Sequence, residues 1–225
     1  ANRTHSPYPL SMLRSPLLFL IAIAALLPPS AIGGVGSGPG FTASIQAHLT
    51  RTPAWRSFLS RHGGWATTWN ERTRTPQRAY GPAVPLPVFD PADETSGEKA
   101  IRSFLATERE ALGLDPDQLR LRRFQRIGHI FYVSFVQTHR GREVLHSEVE
   151  LRVHERGSVM ALGVVYYPDI VVSVIPVLAM AGARDIARNH LGGDTQVSIS
   201  PGDDRTFVLP VEDDGERRYR LVYRF

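Results

Sequence analysis

The 225-residue chain contains no cysteine. That excludes disulfides, thiol nucleophiles, cysteine zinc sites and a lipid-modified cysteine anchor, so an exported form must be held by its core alone. Lysine is almost as scarce: Lys99 is the only one, and arginine supplies the rest of the 26 basic residues set against 22 acidic ones. No Gly-x-Ser-x-Gly nucleophile elbow is present. Nor is there an apolar run of the roughly 18 residues that a membrane-spanning helix needs, since the run over residues 17–27 stops short of it. What is present, 42% hydrophobic and 21% charged residues, fits one or two globular domains and excludes collagenous or wholly disordered chains.

The chain opens on Ala1, which makes Met12 the candidate start. Met12-Leu13-Arg14-Ser15 forms a short positive segment, residues 17–27 are continuously apolar, and Pro28-Pro29-Ser30-Ala31-Ile32-Gly33 ends the run with small residues. This is the pattern of a secretory signal peptide and predicts a secreted or periplasmic product without permanent membrane insertion. Setting residues 1–33 aside removes Arg3 and Arg14 and no acid, so the net charge of +4 falls to +2. A nucleic-acid-binding domain, suggested by the pI near 9.7, loses half its support with the leader.

Residues 33–40 (GGVGSGPG) read as a flexible linker; no Lys-Ser or Lys-Thr follows to make them a phosphate loop. Thr52-Pro53 predicts a helix start and His62-Gly63-Gly64 its end, with Trp55, Phe58 and Leu59 between them. Residues 75–92, rich in proline and glycine, predict an extended connector. A capping box of Thr95 and Glu98 predicts the next helix, with Ala100, Ile101, Phe104, Leu105 and Leu112 on one face and Gly113 as its stop. Strands are predicted over 130–138, 144–153 and 159–167, with turns at Arg140-Gly141 and Arg156-Gly157. In the middle run Leu145, Val149, Leu151 and Val153 share one parity and His146, Glu148, Glu150, Arg152 and His154 the other, which gives a core face and a wet face. Beyond Pro168 an apolar run over 171–174, a helix carrying Leu178, Ala183, Ile186, Ala187 and Leu191 up to Gly192-Gly193, and strands over 206–209 and 219–225 form a smaller unit. Its last strand predicts further chain to complete the sheet.

Eight histidines invite a metal reading. His154-Glu155 begins a His-Glu-x-x-His motif, but Ser158 stands where the second histidine is needed. His146 and His154, on one strand, would lie roughly 26 Å apart. Glu148 and Glu150 read as surface charge on a solvated face. The cluster Arg120, Arg122, Arg123 and Arg126, with Phe124 interleaved, reads as a solvated or partner-facing strand in preference to a nucleic-acid surface. No catalytic or metal-ligating residue is assigned.

The run Phe135-Val136-Gln137-Thr138-His139-Arg140-Gly141-Arg142-Glu143-Val144, followed by Ser147-Glu148-Val149-Glu150-Leu151 and Gly157, resembles the fungalysin/thermolysin propeptide motif. It departs from the family's usual residues at His139 and at Arg142-Glu143. The preceding Phe104-Leu105 and Leu112-Gly113-Leu114 fit as well, so the resemblance covers about residues 97–165. Residues 178–225 look like the start of a PepSY domain, and Gly64-Trp65, Trp69-Asn70-Glu71, Pro76 and Gly81 look like the lead-in to such pro-regions.

The resemblance implies an α+β fold, an antiparallel β-sheet packed by an amphipathic helix, followed by an incomplete second α+β unit. The implied organisation is a leader over 1–33, a linker and Trp-containing lead-in over 34–96, a propeptide-like domain over 97–168 and a truncated PepSY-like domain over 169–225. It further implies the pro-region of a secreted zinc metallopeptidase zymogen, an intramolecular chaperone and inhibitor whose partner is the catalytic domain. The zinc belongs to that domain; no cofactor is expected in this chain. The residues singled out are structural: Phe104, Leu105, Gln137, Gly141, Val144 and Gly157, with Trp65, Trp69 and Asn70 as lead-in anchors. The alternatives are a stand-alone exported module that inhibits or chaperones peptidases in trans, and a basic nucleic-acid-binding domain.

Overall fold

The computed structural model describes residues 42–190, 205–213 and 216–224. The leader with its start at Met12, the glycine linker and the Gly192-Gly193 helix stop lie outside the described residues.

Alternating apolar residues build the sheet. It runs β1 (Ala66–Asn70), β2 (Thr75–Pro85), β3 (Leu119–Ile127), β4 (Ile130–His139), the short β5 (Arg142–Glu143), β6 (Glu148–His154) and β7 (Ser158–Val165) in chain order. Every pairing is antiparallel and the spatial order is β1-β2-β7-β6-β4-β3, with β5 on β4. One face carries Phe131, Val133, Phe135, Val149, Leu151, Val153, Val159, Leu162 and Val164, all buried. Against it pack α1 (Ala43–Thr50), α2 (Pro53–His62), α3 (Glu94–Thr107) and the single turn α4 (Arg109–Leu112) through Leu49, Trp55, Phe58, Ala100, Ile101, Phe104, Leu105 and Leu112. The fold is α+β. Each large side chain fully buried there contributes roughly 1.5–3 kcal/mol.

Three sequence expectations change. Residues 75–85 of the expected connector are the long strand β2, which pairs with both β1 and β7. Gly81 and Pro82 fall where the register shifts between Tyr80 and Val84, so ladder donors are not required of them. A Cβ on Gly81 would stand 2.4 Å from the Trp65 ring, so the glycine admits the indole. The expected lead-in and propeptide-like segments therefore share one sheet and one core. Second, α3 is capped by Asp93 and not by Thr95: the Asp93 carboxylate accepts from Thr95 N at 3.1 Å and Ser96 N at 3.2 Å. Glu98 instead pairs with Arg102 one turn on, at 2.7 Å. Third, the strand expected from Val144 begins at Glu148, because residues 144–147 turn through His146 at φ 62°. His146 thus sits in a turn and shares no strand face with His154.

The smaller unit consists of α5 (Met180–His190) and the hairpin β8 (Thr206–Asp213) with β9 (Glu216–Tyr223). The apolar run over 171–174 joins no strand. The hairpin attaches to the main sheet through a bridge between Val144 and Val208, and Leu145 N donates to Val208 O at 2.8 Å. Val136, Val144, Phe207 and Val208 are all buried there, apart from the main core.

Candidate partner-binding surfaces

Gln137, at the end of β4, is 1% exposed. Its side-chain amide closes a reciprocal pair with the backbone of Tyr167: Nε2 donates to Tyr167 O at 2.7 Å and Oε1 accepts from Tyr167 N at 2.9 Å. The amide thereby stands in for a missing strand partner just where the chain leaves β7. Its backbone is tied to the hairpin as well, since Gln137 N donates to Ser147 Oγ and Val144 N donates to Gln137 O, both at 2.9 Å. Nearby, Tyr166 donates its hydroxyl to Gln118 Oε1 at 3.0 Å, and burial pushes that phenol up to about 12.

The remaining singled-out residues are also brought into load-carrying positions. The turn beyond β4 requires positive φ at Arg140 (48°) and Gly141 (79°). Gly157, at φ 74°, lies under Phe89, whose Cβ would be 2.9 Å from an added methyl. Phe104 and Leu105 anchor α3 in the core. Trp65 meets Phe58 edge-on at 5.4 Å, and Trp69 meets Trp55 edge-on at 5.1 Å. Asn70 caps the following turn, its Oδ1 accepting from Arg72 N and Thr73 N.

Both edges of the main sheet are guarded. At β1, Gln46 of α1 donates to Trp69 O at 3.0 Å and accepts from Trp69 N at 2.8 Å, satisfying the outer backbone with a side chain. Gln46 also donates to Glu71 at 2.9 Å, which holds that carboxyl below the ordinary range. At β3 the guard is the arginine cluster. Arg120 and Arg122 meet Glu143 at 2.7 and 3.4 Å, and Arg126 pairs with Glu155. His129 also bonds Glu155, at 2.7 Å, which lowers that carboxyl's pKa. Phe124 turns inward onto Phe131 at 5.2 Å, over Gly97, where a Cβ would be 2.6 Å from its ring. With most of its charge met by carboxylates and its aromatic residue packed against the core, the cluster is a poor phosphate surface.

The face of the sheet opposite the helices has a shallow furrow along β7. Ala161 and Gly163 form its floor, with Arg78 and Tyr80 on one side and Glu150 and Arg152 on the other, around about 370 Å³. Tyr80 is 64% exposed, and Arg152 stacks over Tyr132 at 4.4 Å while pairing with Glu150 at 3.2 Å. The charged row of β6 is legible in the sequence but the furrow is not, because the prolines and glycine of β2 read as a connector.

Glu108, 1% exposed between α3 and α4, was also missed; it holds Arg61 at 2.5 Å and His62 at 2.9 Å. The signal was present. Ile101, Leu105, Glu108 and Leu112 follow helical spacing, which sets a carboxylate on the apolar stripe. Among the described residues no group of three or more His, Asp or Glu side chains could hold a metal ion, and no helix is long and apolar enough to cross a membrane. The chain matches no protein-family model, no curated protein and no solved structure.

Proposed function

We propose that the chain is the pro-region of an exported zinc metallopeptidase precursor, which assists folding of the catalytic domain and holds it inactive. The observation that carries the reading is the part played by the residues of the resemblance. Gln137, Gly141, Val144 and Gly157 lock, turn or pack the hairpin region, as a structural motif requires of its residues. The face of the sheet opposite the helices, with its furrow along β7, offers a broad rigid surface to a partner domain. Binding the folded enzyme and not its unfolded chain would stabilise it by linkage. Zinc chemistry belongs to the partner; this chain supplies shape, hydrogen-bonding groups and stability.

Added in trans to a thermolysin-like zinc metallopeptidase, the purified chain should slow peptide hydrolysis in a saturable manner and raise the yield of active enzyme on refolding. Absence of both inhibition and binding across several such enzymes sinks the reading. Translation of the coding sequence beyond Phe225 separates the two forms of it. A His-Glu-x-x-His motif with a later glutamate ligand places the enzyme in cis, and a short continuation makes the chain a module acting in trans.

A further inference from the structure

The furrow along β7 lies in the interior of the main sheet. β2 is paired by β1 and β7, β7 by β2 and β6, and β6 by β7 and β4, so no strand edge takes part in it. Register sets its side chains in two level rows. Tyr80 and Arg152 both stand opposite Ala161. One pair along, Glu150 stands opposite Gly163, and continuing the pairing of Ala79 with Leu162 by one residue sets Arg78 on the other side of the same glycine. Each row thus has a long side chain on either side of a floor that carries a methyl group or nothing. Arg78 is exposed and forms no ion pair among the described residues, and Tyr80 is 64% exposed. Glu150 meets only its own strand neighbour among them, Arg152, through one carboxylate oxygen at 3.2 Å.

The two rows are complementary to themselves. A two-fold axis laid along β7, above its floor, turns each side of the furrow onto the other and keeps each row at its own level. Arg78 of one copy then faces Glu150 of a second, Tyr80 faces Arg152, and both contacts occur twice. This is the isologous arrangement, in which one patch serves both partners. The pairs formed are a guanidinium with a carboxylate and a guanidinium with an aromatic ring. Sheets packed face to face lie about 10 Å apart, and the small floor gives the long side chains of both copies room to fold in over Ala161 and Gly163. A partner surface of one charge sign meets either Arg78 or Glu150 and opposes the other; a second copy meets both.

We infer that the chain forms a two-fold dimer through this face, with β7 of each copy on the axis, Arg78 paired with Glu150 across it and Tyr80 stacked on Arg152. The inference does not rest on the peptidase reading. Where both hold, the dimer parts before the face meets the enzyme.

Sedimentation equilibrium of the full chain should show the 25.0 kDa monomer passing to a species of twice that mass, and no larger, as concentration rises. Arg78→Glu sets carboxylates against each other at two places, and Glu150→Arg does the same with guanidinium groups. Each should weaken dimerisation roughly 100-fold or more. The double variant restores opposite signs and should recover to within roughly 10-fold of the parent. Arg56→Glu, an equal change of charge to the first but on α2, should leave the dimer unchanged. Should a charge variant lose its native circular dichroism, Tyr80→Ala serves in its place and should weaken dimerisation roughly 10-fold or more. The absence of cysteine permits a positional check as well. Ala161→Cys lies on the axis, so a short bismaleimide should link two such chains efficiently, and should link Ala106→Cys chains, altered on the outer side of α3, far less. The inference is overturned by a monomer mass at every concentration, by a dimer indifferent to residues 78, 80 and 150, by a double variant that fails to recover, or by equal cross-linking at 161 and 106. Association carried by the apolar run over residues 17–27 would be indifferent to all of these substitutions and would overturn it too.

Discussion

Replacing Gln137 by leucine keeps the side-chain bulk and removes both bonds to Tyr167. The Tyr167 N–H and C=O then lose their partners at 2.9 and 2.7 Å in a place where Gln137 itself is 1% exposed. An orphaned buried polar group costs about 1–3 kcal/mol. Two such groups, partly relieved by water reaching the half-buried Tyr167, give an expected loss of about 2–4 kcal/mol. That is a large share of the roughly 5–15 kcal/mol by which a domain is stable. At roughly 2–4 °C per kcal/mol for a chain of this size, the melting temperature should fall by roughly 4–16 °C. Urea denaturation followed by tryptophan fluorescence is a suitable assay, since Trp55, Trp65 and Trp69 all lie in the core. Gln137→Glu retains the acceptor for Tyr167 N, loses the donor to Tyr167 O and buries a charge, so it should be no better than leucine. A Gln137→Leu variant within about 0.5 kcal/mol of the parent would refute the lock, because that is the range of ordinary surface substitutions.

Leu105→Ala, at a position 0% exposed between α3 and the sheet, should cost about 2–5 kcal/mol in the same urea assay, and a smaller loss would mean that the helix is not seated as described. Gly157→Ala and Gly141→Ala both place a methyl on a left-handed backbone, at φ 74° and 79°, but only the first drives it against Phe89. The Gly157 variant should therefore lose more stability, and an equal or larger loss at Gly141 would contradict the packing. His139 has its pKa lowered by burial and secondarily by Arg140. The unfolded chain therefore takes up a proton there first as the pH falls, so stability present above the ordinary histidine value is lost on acidification through the folded one. His139→Gln should narrow the gap between urea midpoints at pH 7.5 and 5.5; an unchanged gap would refute that role.

The helices α2 and α3, the strands β4, β6 and β7, and the two-faced character of β6 were legible because local chemistry fixes them. Helical or alternating apolar spacing needs only one buried face to be satisfied, and Val149, Leu151 and Val153 on β6 behave accordingly. The turns at Arg140-Gly141 and Arg156-Gly157 were legible for the same reason, since glycine admits the left-handed backbone. The cap of α3 was not, because Asp93 and Thr95 both carry acceptable oxygens and only the path of the incoming chain chooses between them.

What the residues determine by themselves is an α+β chain with one amphipathic helix, a two-faced antiparallel sheet and no disulfide to hold it. What only the tertiary structure decides is where distant segments meet. β2 becomes a strand despite its prolines because β1 and β7 lie on either side of it, and Gly81 finds its use because Trp65 crosses it. Arg120, Arg122 and Arg126 of β3 are met by Glu143 and Glu155 from later segments of the chain, and Gln137 meets Tyr167 across 30 positions of sequence. Spacing along a chain reports which face a residue occupies; the partner on that face is set by packing between elements, and it decides whether a charge, an amide or an edge is satisfied or left to bind.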